Sequence, residues 1–206
     1  MNSKTVPDIV ISRLPRYMQA LEQMQKDGIH TTSSQELGEN IGISAAQIRK
    51  DLSQFGGFGK QGTGYSTDFL ISQIQSILHL NRTWDLALVG IGDLGNALAR
   101  YQGFANRGFR IVLAFDNDPT KIGKEIGNLT ILSDSRIKEE IPRLGVKIAM
   151  LTVPASAAQE TAENLVDAGI HAILNYAPVS LTLPENIHVD NIDPIVKLEH
   201  MTYYLD

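Results

Sequence analysis

The chain of 206 residues contains no cysteine, which excludes disulfide bonds, a thiol redox switch and thiolate metal sites. It has no run of 18 apolar residues, so we expect no membrane-spanning helix. Residues 1–20 lack a basic segment followed by an apolar one, so we expect no secretory signal. These absences predict a cytoplasmic globular protein, for whose core a hydrophobic content of 43% is ample.

Residue sets that catalyse reactions are also lacking. The five histidines are scattered, and neither a His-Glu-x-x-His sequence nor a carboxylate pair at metal-ligand spacing occurs. A dehydrogenase needs a proton donor or acceptor beside its substrate, yet none of the six tyrosines has a lysine four positions later. We also expect no second domain for a substrate. We therefore expect neither an enzyme nor a metal site.

Positive charge is scarce, since 18 Lys and Arg stand against 23 Asp and Glu, a net charge of −5. This balance argues against indiscriminate binding of nucleic acids. The charge is uneven, because residues 1–66 hold seven basic and six acidic residues, whereas residues 67–206 hold eleven and seventeen. The resulting net charges of +1 and −6 are compatible with an anionic partner for the first part.

The chain does contain a glycine-rich turn between an apolar strand and a helix. Residues 86–89 run into three glycines spaced Gly-x-Gly-x-x-Gly, and residues 96–101 favour a helix. This order is the dinucleotide-binding fingerprint in its required context. The glycines allow a tight turn, close approach of a pyrophosphate and close helix packing, and the helix N-terminus attracts phosphate. The predicted contacts are Gly90, Ile91, Gly92, Asp93, Leu94 and Gly95.

A second strand, residues 110–115, ends in Asp116, at the place of the acid that hydrogen-bonds a ribose 2′-hydroxyl. Asn117 and Asp118 follow with no arginine, so a 2′-phosphate would be repelled. The sequence therefore predicts NAD(H) rather than NADP(H), held partly by Asp116 and Asn117. Two alternatives remain, namely glycines that serve only packing and a different nucleotide-bearing ligand such as coenzyme A or S-adenosylmethionine.

The first part of the chain has the pattern of a helix-turn-helix. Within residues 8–27, apolar positions at helical spacing from Leu14 to Met24 predict an amphipathic helix, with Ser12 as a candidate N-cap and Pro15 in its first turn. A second helix, 33–41, begins with a capping box, and a third begins at Ser44 with Gln47 in the reciprocal position. Two short capped helices joined by a glycine turn are typical of this motif.

The outer face of the third helix predicts contacts with DNA, because a helix of about 12 residues fits the major groove. The glycine-rich stretch 56–67 that follows predicts a wing with a basic tip, which can lie along the backbone or enter the minor groove. The alternative is a packing or dimerisation module in which Arg49 and Lys50 form a solvated face beside Asp51. The candidate DNA contacts are Ser44, Ala46, Gln47, Arg49, Lys50, Ser53, Lys60 and Gly62.

Alternating strands and helices after residue 82 predict a Rossmann-type, doubly wound parallel sheet. Ligands of such sheets lie at the carboxyl ends of the strands. Segments 147–153 and 172–175 are predicted strands, and the residues at and after their ends are further candidate cofactor contacts. These are Thr152, Val153, Pro154, Asn175, Tyr176 and Ala177, for which ordinary loop turning is the alternative.

We expect three segments: a winged-helix DNA-binding domain with a connector helix over residues 1–81, a Rossmann NAD(H)-binding domain over 82–193, and a terminal helix over 194–206. One side of this last helix is apolar. A Rossmann unit does not need the helix for closure. We therefore expect it to dock on a partner subunit, as a helix-turn-helix protein that reads two half-sites requires.

Several motifs resemble those of the bacterial redox-sensing repressors of the Rex family. They span nearly the whole chain: AAQIRKDLSQFGGFGKQGTGY at 45–65, LVGIGDLGNAL at 88–98, FDNDP at 115–119, NYAP at 175–178 and YYL at 203–205. Gly57 departs from the glutamate expected there, which concerns the wing tip.

The resemblance implies a homodimeric winged-helix repressor whose terminal helix is exchanged between subunits. Such a repressor binds palindromic operator DNA of fermentation and respiration genes when NADH is scarce, and releases it when NADH binds. NADH is the expected cofactor and NAD⁺ the weaker ligand. The family's switching network falls on Arg16, Tyr101 and Asp193.

Overall fold

A computed structural model of the chain describes residues 6–56 and 64–205. The chain divides between Arg82 and Thr83 into two compact units. Within the described ranges, no helix is long and apolar enough to cross a lipid bilayer. The same ranges contain no group of three His, Cys, Asp or Glu residues that could hold a metal ion.

The first unit consists of short helices around a small apolar core. Its elements are α1 (Asp8–Ile11), α2 (Leu14–Lys26), β1 (Thr31–Thr32), α3 (Ser34–Ile41), α4 (Ala45–Leu52), β2 (Tyr65–Ser66) and α5 (Thr67–Ile77). The strands β1 and β2 pair antiparallel. Side chains from α2, α3, α4 and α5 form the core, among them Tyr17, Leu21, Leu37, Ile48 and Leu70.

The predicted amphipathic helix is present as α2, and its apolar side chains are buried, but the prediction that Ser12 caps its N-terminus is wrong. The helical segment is interrupted after Ile11, and Ser12 closes α1 by donating its hydroxyl to the carbonyl of Ile9 (3.2 Å) instead of capping α2. Pro15 explains the interruption, because proline lacks an N–H donor and is tolerated only in the first turn of a helix. Arg13 therefore stands at the N-cap of α2 with its side chain free for a distant partner.

The helix-turn-helix begins with the predicted caps. Ser33 and Glu36 form both halves of a capping box, and Gly42 turns the chain with a φ of +69°. The Ser44 hydroxyl accepts the backbone N–H of Gln47 (3.2 Å). The reciprocal bond from the Gln47 side chain is not formed, because that side chain bonds to Asp51 one turn along the helix.

The second unit is a seven-stranded sheet between helices. Its elements are β3 (Trp84–Val89), α6 (Asp93–Arg100), β4 (Phe109–Asp116), β5 (Glu125–Ile126), β6 (Leu129–Ser133), α7 (Ile137–Leu144), β7 (Ile148–Leu151), α8 (Ala155–Asp167), β8 (Ala172–Asn175), β9 (His188–Asn191) and α9 (Pro194–Thr202). The strand order is β5-β6-β4-β3-β7-β8-β9. Without β5, this is the parallel order of dinucleotide-binding Rossmann folds, and the predicted α/β fold class is confirmed.

One detail of the sheet differs from a regular doubly wound fold, and another is typical of it. β5 pairs antiparallel with β6 at the sheet edge and was not predicted. β3 is buried on both faces, since Ala87 and Val89 pack into one core and Leu86 and Leu88 into the other. A strand with two buried faces is a continuous apolar run, which is why residues 86–89 are recognisable in the sequence.

The terminal helix α9 buries none of its residues within the chain. Ile195, Val196, Leu198 and Met201 are each more than half exposed. Its orientation is therefore not determined by packing against its own unit, and its apolar side is unpaired in the single chain.

Candidate functional site

A cavity of about 420 Å³ lies at the carboxyl edge of the sheet. Its size is in the ordinary range for small-molecule sites. Seven predicted cofactor residues line it: Gly90, Gly92, Asp116, Asn117, Thr152, Val153 and Pro154. The strands that contribute them, β3, β4 and β7, are neighbours in the sheet, so their ends converge on one crevice.

The three glycines of the turn meet different surroundings. A Cβ added to Gly90 would lie 2.7 Å from the carbonyl oxygen of Thr152, and one on Gly95 would lie 2.0 Å from the carbonyl oxygen of Gly90. A Cβ on Gly92 would meet no atom within 4 Å. The fold itself therefore requires Gly90 and Gly95, whereas the lack of a side chain at Gly92 only keeps space open above the turn.

Asp116 is a buried carboxylate that organises the glycine turn. Its oxygens accept the backbone N–H groups of Ile91 (2.6 Å) and Asp118 (2.8 Å), and the Lys121 ammonium lies 3.1 Å away. Lys121 was missed in the sequence because it lies five residues after Asp116, outside the motif. The loop after β4 folds back and brings it to the cavity. A single positive charge thus balances the buried acid.

Thr152 connects β7 to the glycine turn. Its hydroxyl lies 3.0 Å from the carbonyl oxygen of Val89 and 2.6 Å from that of Gly90. Val153 and Pro154 follow, and α8 begins at Ala155 without a side-chain cap. The backbone N–H groups of the first turn of α8 therefore lie beside the cavity.

The remaining predicted cofactor residues do not line this cavity. Ile91 and Asp93 line a neighbouring cavity of about 460 Å³, together with Arg100 and Lys124. Leu94 is nearly half exposed on α6. Tyr176 packs with the apolar cluster that contains Ile91, and burial raises the pKa of its hydroxyl.

Asn175 is fully buried, and its side chain bonds within the chain. Its carboxamide N–H₂ donates to the carbonyl of Val179 and to Oδ1 of Asn191, both at 2.8 Å, and its oxygen accepts the N–H of Ala177 at 3.0 Å. The side chain therefore shapes the loop after β8. Asn175 can therefore affect ligand binding by fixing the positions of Tyr176 and Ala177.

The predicted DNA-binding residues of α4 differ in how free their side chains are. Gln47 donates to Asp51 (2.7 Å), Arg49 donates to the hydroxyl of Ser34 (2.8 Å), and Ser53 donates to the carbonyl of Lys50 (2.7 Å). The Lys50 side chain is exposed. Lys60 and Gly62 lie outside the residues that the structure describes.

A buried ion pair beneath α4 was not found by sequence reasoning. Asp51, which the alternative interpretation placed beside a solvated face, is only 1% exposed. Arg13 donates to both of its oxygens (2.6 and 2.8 Å), and the hydroxyl of Tyr17 also donates (2.6 Å). Burial alone would raise the pKa of Asp51, but the hydrogen bonds from Arg13, Tyr17 and Gln47 outweigh it and lower that pKa below its ordinary value.

The residues of the expected switching network lie in different units. Arg16 donates to the carbonyl of Ile41 (3.2 Å) in the first unit. In the second unit, Tyr101 is 62% exposed beside Phe104, and Asp193 caps α9 by accepting the N–H of Ile195 (2.8 Å). Their grouping into one network stays a prediction.

Comparisons of the chain with known proteins match both units. The family described as "CoA binding domain" matches residues 81–179, and the family described as "Putative DNA-binding protein N-terminus" matches residues 5–53. The protein named Redox-sensing transcriptional repressor Rex of Chloroflexus aurantiacus is 53% identical over 97% of this chain and 94% of its own length. The protein of that name from Pelotomaculum thermopropionicum is 46% identical over 100% and 96%.

Solved structures agree with these matches. The crystal structure of RSP in complex with β-NAD⁺ and operator DNA has a TM-score of 0.92, with 38% identity over 98% of this chain and 93% of that one. The structure of RSP in complex with β-NADH has a TM-score of 0.89, with 35% identity over 98% and 95%. RSP itself is described as a Rex-family repressor.

Proposed function

The chain belongs to the Rex family of redox-sensing transcriptional repressors, and we propose that it binds palindromic operator DNA and releases it when NADH binds. It acts in the cytoplasm, controls fermentation and respiration genes, and catalyses no reaction. The relatives' names and the RSP complexes with operator DNA, β-NAD⁺ and β-NADH support this proposal.

One observation in this chain carries the proposal, namely the open space above Gly92. A glycine that the fold does not require, at the start of an eight-residue helix, leaves backbone N–H groups accessible to a pyrophosphate. Asp116 lies in the same cavity, with Lys121 beside it, and its carboxylate is the proposed partner of the ribose hydroxyl. Thr152, Val153 and Pro154 line the same cavity.

Selection between NADH and NAD⁺ requires little energy. The nicotinamide ring of NAD⁺ is positively charged and that of NADH is neutral, so an apolar environment favours NADH. A hundredfold preference corresponds to about 2.7 kcal/mol. By linkage, if NADH weakens operator binding by some factor, operator DNA weakens NADH binding by the same factor.

We propose a homodimer in which α9 supplies contacts between subunits. Its exposed apolar side, which includes Ile195, Leu198 and Met201, is a surface that isolated chains would not leave in water. A symmetric dimer would also place two α4 helices for two operator half-sites. The candidate readers of DNA are Ser44, Ala46, Gln47, Arg49, Lys50 and Ser53, together with Lys60 and Gly62 of the wing.

The test compares Gly92→Ala with Gly95→Ala. A Cβ at position 92 meets no protein atom, so Gly92→Ala is expected to keep the melting temperature while losing NADH affinity and NADH-induced operator release. A Cβ at position 95 clashes with backbone, so Gly95→Ala is expected to lower the melting temperature as well. Unchanged NADH affinity in a folded Gly92→Ala protein would contradict the assigned site.

Two further outcomes would contradict the proposal. One is wild-type protein whose operator complex stays intact on titration with NADH in a gel-shift assay. The other is steady NADH oxidation with a panel of carbonyl compounds, which would indicate a dehydrogenase. Because one matching family is described as CoA-binding, competition between coenzyme A and NADH distinguishes the two ligands.

A further inference from the structure

We propose that Asn191 is a positioning residue that connects the loop after β8 to the terminal helix α9, and so carries part of the coupling between NADH and DNA. This inference rests on the proposed function. It assigns a role to a residue that does not line the cavity around the glycine turn.

The connection begins at the buried Asn175. Asn175 and Asn191 end the parallel strands β8 and β9 and are direct partners in the register. The carboxamide of Asn175 holds the loop on one side, through Ala177 and Val179, and donates to Oδ1 of Asn191 on the other (2.8 Å). A shift of the loop therefore acts on the end of β9 through one side chain.

From Asn191 the contacts continue to α9. The N–H of Ile192 donates to the carbonyl of Asn175 (2.8 Å), and Asp193 caps α9 through the N–H of Ile195 (2.8 Å). Three successive residues thus connect the end of β9 to the first turn of the helix.

The tether matters because α9 buries none of its residues within the chain. In the proposed dimer, its apolar side contacts the partner subunit, and the segment from Asn191 to Asp193 connects it to its own sheet. A small movement at Asn191 is then amplified along a helix of nine residues, which is roughly 13 Å.

The loop is coupled to the cofactor side of the sheet as well. Tyr176 packs in the cluster that contains Ile91 of the glycine turn, and the N–H of Tyr176 donates to the carbonyl of Leu151 (2.9 Å) at the end of β7. Asn175 is therefore held between the turn that would receive the pyrophosphate and the strand that leads to α9.

The experiment measures NADH affinity with and without operator DNA for wild type, Asn191→Ala and Asn191→Asp. The ratio of the two affinities is the coupling factor, typically 5- to 150-fold in allosteric proteins. Asn191→Ala removes one hydrogen bond, and the coupling factor is expected to fall about three- to tenfold, with the affinity for NADH alone nearly unchanged. Asn191→Asp keeps an acceptor for Asn175 and should retain the coupling.

Gln159→Ala is the matched control. The Gln159 carboxamide also holds the segment between β8 and β9, because it bonds both the N–H and the carbonyl of Thr182 (2.9 and 2.8 Å), but it makes no bond at the end of β9. This variant should keep the wild-type coupling factor. A wild-type factor in folded Asn191→Ala, or an equal fall in Gln159→Ala, would overturn the inference.

A second measurement separates this inference from the proposed function. Hydrogen exchange of the peptide that spans residues 188–202 is compared with and without NADH, in the absence of DNA. We expect NADH to change the exchange in wild type and Asn191→Asp but not in Asn191→Ala. If wild type binds NADH but its affinity for operator DNA does not change, the proposed function is contradicted. If NADH changes the hydrogen exchange of this peptide equally in Asn191→Ala, the inference is contradicted.

Discussion

The buried ion pair under α4 leads to a sharp prediction about stability. We consider Arg13→Met, which keeps an aliphatic side chain but removes the guanidinium group that bonds both oxygens of Asp51. The Asp51 carboxylate is 1% exposed and the Arg13 side chain 19% exposed, so water does not replace the lost partner. The variant leaves a buried charge with Tyr17 and Gln47 as its neutral donors.

The size of the effect follows from this residual bonding. Removing one partner of a buried ion pair typically costs 3–5 kcal/mol. Because Tyr17 and Gln47 still donate to Asp51, the loss should be at the low end, about 3 kcal/mol in the unfolding free energy of the first unit. Arg110→Met is the matched control, since Arg110 also makes two bonds to an acid, Asp85, but on the surface. It should cost little or nothing.

Hydrogen exchange of amides in α2 and α4 measures the stability of the first unit. Trp84, the single tryptophan, begins β3, so its fluorescence during urea unfolding reports the second unit. We expect Arg13→Met to speed exchange in α2 and α4 while the fluorescence midpoint stays unchanged. Equal exchange in Arg13→Met and Arg110→Met would refute the reasoning, because it would mean that Asp51 is compensated without Arg13.

Three other predictions follow. The pKa of Asp51 is lowered in the folded state, so the stability that its carboxylate contributes is present above the unfolded pKa of about 3.9 and is lost as pH falls toward the lower folded pKa. The unfolding free energy of Asp51→Asn should therefore decrease less steeply with falling pH than that of wild type, and equal slopes would contradict this. Asp116→Ala should weaken NADH binding by about 1.5–3 kcal/mol in calorimetry, and no change would mean that the ribose acid is misassigned. A Cβ at Gly103 would lie 2.3 Å from the Tyr101 ring, so Gly103→Ala is expected to impair NADH-induced operator release to the same extent as Tyr101→Ala, with no added effect in the double variant. An additive loss in gel shifts would show that the two residues act separately.

Several parts of the fold were predictable because they depend on neighbours in the chain. The capping box at Ser33 and Glu36 needs a spacing of three residues, and the glycine turn at 90–95 follows directly from an apolar strand. Asp116 was predictable as the acid at the end of the next strand. Each of these features is a short pattern whose physical cause lies within a few residues.

The surroundings of other residues were not predictable, because their partners are distant in sequence. Asp51 lies between polar residues of α4 and reads as solvated, but Arg13 and Tyr17 reach it from α2, more than 30 positions earlier. Gln47 and Arg49 look free in the helical pattern, yet both bond within the unit. Asn175 was predicted as a cofactor contact, and the structure adds that its carboxamide bonds to Val179, Ala177 and Asn191.

The sequence alone determined most of the order of elements, the glycine turn, the acid after β4 and the resemblance to a family, because periodicity, capping and turn chemistry are local. Only the tertiary structure decided which polar side chains already bond within the chain, such as those of Asp51 and Asn175, and where space is left for a ligand, such as that above Gly92. Burial and hydrogen bonding depend on which strands and helices become neighbours, and that adjacency is a property of the whole fold.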